Sequence, residues 1–176
     1  LLPRTFELLS AMNAALKDLP HDLESSELGR NAASAVVDYL ALAMHLLTNG
    51  GAEIHDGIAE FAKGAMAGEG VGDNPFTGMP QDFTLFAPRG HYTLNEDFKA
   101  YFRTTYLLGT PFQLDDEGGA AATLLLCHIL SVPQVQEKWR ALYDPIRYLV
   151  GSSNVNAWDD LADALKPFKL GDLGDA

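Results

Sequence analysis

The stretch from residue 67 to residue 92, AGEGVGDNPFTGMPQDFTLFAPRGHY, constrains this chain more than any other. It holds five glycines and three prolines. Glycine loses more backbone entropy on ordering than any other residue, and proline fixes φ and removes an amide donor. A stretch of this composition cannot be a long helix or a regular sheet. Its flanks read at helical spacing, so the expected fold is helices around one long irregular loop. A loop of that length inside a compact domain is functional or mobile. Within it, DFTLF at 82–86 reads as a short extended segment.

The flanking patterns give the helices. Pro3 suits a first helical turn, and Phe6, Leu9, Met12, Leu16 and Leu19 recur at three and four before Pro20 ends the run. A second helix is expected over 27–47. Val36, Leu40, Met44 and Leu47 make one stripe, and Val37, Leu42 and Leu46 cover the rest, as in a central helix. Asn49-Gly50-Gly51 stops it. A third, over 52–66, carries Ile54, Ile58, Phe61 and Ala65 on one face. After the loop, Thr93 and Glu96 have the spacing of a capping box. The helix they would open sets Phe98, Phe102 and Thr105 or Tyr106 on one side with Tyr101 alongside, and Gly109 and Pro111 end it. Asp115-Asp116-Glu117 precedes a buried helix over 119–131, where the helix dipole favours acids. Pro133 opens another, with Val135, Trp139 and Leu142 or Tyr143 inward and a kink or end at Pro145. Ser152 to Asn154 can cap a last short helix carrying Trp158, Leu161 and Leu165. The sum is an all-α chain, a single globular domain of six or seven helices over 1–176.

The 176 residues carry 12 Lys and Arg against 24 Asp and Glu, a net charge of −12. Nucleic-acid surfaces need clustered positive charge, so that class is excluded. Adsorption on an anionic membrane is disfavoured on the same ground. The two most apolar runs, AASAVVDYLALAMHLL and AAATLLLCHILSV, fall short of the ~18–20 apolar residues a membrane span needs. They read as core helices, so no direct membrane span is expected. The lone Cys127 excludes an intrachain disulfide and sits in an apolar run as a small buried hydrophobe. The chain opens Leu1-Leu2-Pro3 with no initiator Met, which reads as a processed chain or a fragment of a longer protein.

Chemistry-bearing residues are few. Arg89, His91 and Tyr92 lie in one turn before a helix start, where Arg could add charge to free amides and hold a phosphate, carboxylate or glycan. The structural alternative makes the turn a joint. Arg89 would pair with Asp38 or Asp82, Gly90 would take a special backbone angle, and Tyr92 would pack on the first helical turn. Glu53, His55 and Asp56 fit a solvated helix start better than a metal cluster, because no paired-histidine motif exists and His21, His45, His91 and His128 are scattered. A composite site would need His55 and His91 to meet across the loop. Asp159, Asp160 and Asp163, like the acids at 115–117, lack the alternation of a calcium loop. No nucleophile elbow or phosphate loop occurs, and no metal or cofactor is expected.

The run FAPRGHYTLNEDFKAYFRTTYLLGTPFQL resembles the domain of unknown function 3160 family. The resemblance is carried by Pro88, Arg89, Gly90, His91, Tyr92, Thr93, Tyr101, Phe102, Arg103, Gly109 and Phe112. ELGRNAASAVVDYLALAMHLL, EIHDG and WRALYDPIRYLVGSSN also resemble family segments, extending the likeness over about residues 27–165. This chain departs at Leu107-Leu108-Gly109-Thr110, where relatives carry Trp-x-Gly-Arg, and at Ser153-Asn154, where they often carry Ser-Asp. Relatives are typically longer and exported. The resemblance therefore implies an extracytoplasmic location, in periplasm, envelope or medium, and supplies no reaction.

Together these readings predict a structural or binding module, with the loop at 67–92 and the turn at 88–93 as contact surface. Its partners would be other chains of an assembly or the rest of a longer precursor. The alternative is a cell-envelope hydrolase, with Arg89 and His91 in a cleft opposite a carboxylate such as Glu53 or Asp56.

Overall fold

The computed structural model describes residues 1–19, 23, 25–110 and 112–150, without the side chains at 146, 147, 149 and 150. The expected last helix with Trp158, Leu161 and Leu165, its cap, the acids at 159–163, His21 and the helix-ending Pro20 and Pro111 lie outside the described residues. The fold is all-α. Among the described residues there are six α-helices: α1 (Leu2–Lys17), α2 (Glu27–Leu47), α3 (Ala59–Ala67), α4 (Glu96–Leu108), α5 (Glu117–Ser131) and α6 (Pro133–Val150). Among the described residues the only sheet is an antiparallel pair, β1 (Val71–Asp73) and β2 (Pro80–Asp82). The described chain clusters into two compact units, one of Pro3–Val36 with residues 114–150, the other of Val37–Gln113.

In the first unit α1 buries Leu8, Leu9 and Met12, while Phe6, placed inward by its spacing, is 46% exposed. Glu7 pairs with Lys138 of α6 at 3.0 Å, and the Arg4 guanidinium donates to the Ala141 carbonyl. Asp116 caps α5 by accepting from the Gly119 amide at 3.0 Å, as its place before an apolar run predicts. Leu125, Cys127 and Ile129 of α5 are buried, with Val135 and Leu142 of α6. Pro145 sits inside α6, which continues past it. Among the described residues no single helix is long and apolar enough to cross a membrane, although α5 and α6, bent by 88° at their junction, together pass on length and composition.

The second unit holds the long loop, and aromatic rings give it order. Tyr39 of α2 meets Phe76 at 5.3 Å and Phe112 at 5.1 Å. Phe61 of α3 meets Phe76, Phe83 and Phe86 within 6.0 Å, and Phe86 meets Tyr106 of α4 at 4.7 Å. These are edge-on or tilted pairs of the kind aromatic quadrupoles favour. Buried Asn74 accepts from the Phe76 amide and donates to Gln81, so the polar atoms inside the loop are satisfied. A side chain at Gly72 would meet the Phe83 ring at 2.7 Å, so β1 approaches that ring only because this position has none.

Three local expectations need correction. DFTLF is not extended: only Asp82 belongs to β2, and Phe83–Phe86 form a 3-10 turn capped by the Asp82 carboxylate through the Thr84 amide. The third helix begins at Ala59, because His55 caps a separate 3-10 turn over Asp56–Ile58 first. The capping box at Thr93 and Glu96 does not form. Thr93 lies in a 3-10 turn over Gly90–Thr93 and donates its hydroxyl to the Gly90 carbonyl at 2.9 Å. Asn95 caps α4 instead, accepting from the Phe98 amide at 2.8 Å, and Glu96 turns to Lys99.

Candidate functional site

Arg89, His91 and Tyr92 meet at the start of α4. Gly90 takes a φ of +59°, a left-handed backbone that only glycine adopts without strain, and this turns the chain into the 3-10 segment. The His91 and Tyr92 rings lie 4.0 Å apart. Tyr92 reaches Phe102 at 5.2 Å and stacks over Tyr101 at 6.2 Å, and His91 reaches Phe98 at 6.4 Å. The Arg89 guanidinium carbon stands 5.9 Å from the Phe102 ring centre, within cation–π range.

The inward face of α4 is Ala100, Tyr101, Thr104 and Leu107, all buried. Phe98, read from its spacing as inward, is 41% exposed, and Phe102 is half-buried. The stripe that looks like a core face in the sequence is thus largely an outward aromatic face, with His91 and Tyr92 laid over it. Leu94 beside it is 73% exposed.

Arg89 is exposed and pairs with neither Asp38 nor Asp82: no carboxylate lies within ion-pair distance of it among the described residues. The joint expected from sequence therefore stands only in part. Tyr92 packs on α4 and Gly90 supplies the angle, but Arg89 anchors nothing in the core. His55 is exposed, its ring nitrogen accepting from the Gly57 amide at 3.1 Å, and no contact joins it to His91. Glu53 and Asp56 are exposed as well. Among the described residues no three His, Cys, Asp or Glu side chains converge as a metal site.

One group that sequence motifs do not mark is Arg103. Arg103 Nε is buried with no hydrogen-bond partner, and burial pulls the guanidinium below its ordinary value while nearby Glu96 opposes that. Nothing in its spacing marks this, because charged residues one turn apart normally read as a solvated face. Burial also pushes the Cys127 thiol up to about 11, which leaves it an unreactive thiol in the core, as its apolar run predicts.

The family model described as "Protein of unknown function (DUF3160)" matches residues 1–176, a wider span than the 27–165 carried by the recognisable segments. No curated protein and no solved structure matches the chain.

Proposed function

The chain belongs to the DUF3160 family of proteins of unknown function, and from that premise we propose that it is a binding module whose contact surface is the turn at 88–93 with the outward face of α4. The observation that carries this reading is the cluster of Arg89, His91, Tyr92, Phe98 and Phe102, held together by ring contacts, with Arg89, His91 and Phe98 exposed and Tyr92 and Phe102 half-buried. Aromatic and arginine side chains are the groups enriched at protein interfaces and at their energetic centres. Leu94 and Phe98 add apolar surface that a partner would cover. The partner is another protein chain of an extracytoplasmic assembly. The location rests on the resemblance of the PRGHYT run to exported proteins.

Site-specific photo-crosslinking tests this in cells that make the protein. A benzophenone amino acid at Leu94 should yield one dominant crosslinked product. The same group at Tyr148, 89% exposed on α6, should yield none of that product. Equal labelling from both positions would refute a dedicated surface at the turn.

A further inference from the structure

The hairpin inside the loop has two unlike edges. Val71, Gly72 and Asp73 face Asp82, Gln81 and Pro80 in register. The flanking bonds run from the Phe83 amide to the Gly70 carbonyl at 2.9 Å and from the Asn74 amide to the Met79 carbonyl at 3.0 Å. Ladder bonds in an antiparallel pair fall on alternate residues. Gly70, Gly72 and Asn74 therefore bond toward β2, and the amides and carbonyls of Val71 and Asp73 point the other way. Neither residue makes a main-chain hydrogen bond on that side among the described residues. The far edge of β2 is closed by comparison. Pro80 has no amide proton, and Gln81 donates its side-chain amide to the Asp82 carbonyl at 3.0 Å.

A cleft of about 590 Å³ runs along β1 and α3, and the residues of β2 do not line it. Phe61 and Phe83 line it, and its charged lining is Glu60, Glu69 and Asp73 with Lys63. Lys63 stands 4.0 Å from Glu60. Glu69 and Asp73 have no cation within ion-pair distance among the described residues. Val71 is 71% exposed on the same strand face as Asp73, an unusual place for a β-branched residue with nothing over it.

We propose that this cleft takes an extended basic peptide segment, which adds to β1 as a third strand. The free amides and carbonyls of Val71 and Asp73 supply main-chain bonds, as in other strand-addition complexes. On one face of the added strand an apolar side chain covers Val71 and a lysine or arginine sits by Asp73 and Glu69. The acidic lining selects against acidic segments, in keeping with a chain of net charge −12. None of the Arg89 surface lines this cleft, so the two proposals stand or fall separately.

The test uses the full chain and a fluorescein-labelled, end-blocked Lys-Thr-Val-Thr-Lys peptide, with Glu-Thr-Val-Thr-Glu as control, read by fluorescence anisotropy. The basic peptide should bind and the acidic one should not. Val71→Pro removes one outward amide without touching the β1–β2 ladder and should weaken binding about five- to tenfold. The Glu69→Gln/Asp73→Asn pair changes only exposed side chains, so it keeps the fold, and it should weaken binding by a similar factor and flatten its salt dependence. Amide exchange at Val71 and Asp73 should slow on adding the peptide. Binding of both peptides alike, unchanged exchange at those two amides, or no binding up to millimolar peptide would overturn the proposal. Arg89→Ala/His91→Ala should leave peptide binding intact.

Discussion

The Tyr39 hydroxyl shows how single groups hold the second unit together. It donates to the Leu107 carbonyl at 2.9 Å, with the Thr110 carbonyl at 3.3 Å, and so ties the middle of α2 to the end of α4. Burial raises this phenol above the ordinary tyrosine value, which favours the protonated, donating form. Tyr39→Phe keeps the ring against Phe76 and Phe112 and deletes only the hydroxyl. It should cost about 1 kcal/mol, seen as a lower urea midpoint with an unchanged slope. An unmoved midpoint would mean the hydroxyl does not pin the end of α4. The carboxylates show a weaker effect at the surface. Hydrogen bonds from Thr84 hold Asp82 below the usual carboxylate range, and the Lys99 ammonium does the same for Glu96. Both groups favour the fold above their unfolded pKa values and give that up as pH falls through the native ones. Both are fully exposed, so the effect is small.

Helix number and order were readable at the scale of elements because apolar spacing, proline and glycine agreed with one another. The central character of α2 followed from its all-round apolar run: Val36, Leu40, Leu42, Leu46 and Leu47 are buried, and only Val37 faces out, at 46% exposure. The start of α4 was not readable. Thr93 and Asn95 are both competent caps two residues apart, and the choice is made by the 3-10 turn that uses the Thr93 hydroxyl on Gly90. Periodicity identifies a stripe, and only tertiary packing of Ala100, Tyr101 and Thr104 says which stripe is inside. The hairpin was hidden for another reason, since strands of three residues carry no pattern of their own. Asn95→Ala should therefore destabilise the protein by about 1 kcal/mol, and Thr93→Ala by clearly less, in paired urea titrations. The reverse order would restore Thr93 as the cap.

Fold, charge and family membership at the scale of the whole molecule describe an acidic all-α protein and leave its role to its surfaces. The fold gathers Arg89, His91 and Tyr92 and leaves His55 apart, with no carboxylate in hydrogen-bond or ion-pair contact with Arg89 or His91 among the described residues. Acid–base chemistry needs an acid and a base within reach of one reacting group, and among the described residues no carboxylate contacts His91. The side chains of Arg89 and His91 are exposed, so replacing them costs the fold little. The most direct test is co-purification from cells that make the protein, comparing wild type with Arg89→Ala/His91→Ala. A stoichiometric partner chain is expected on the wild type, and its loss from a double variant whose stability stays within about 0.5 kcal/mol. A wild type that purifies as a lone monomer, while the folded double variant loses a hydrolytic activity, would contradict it.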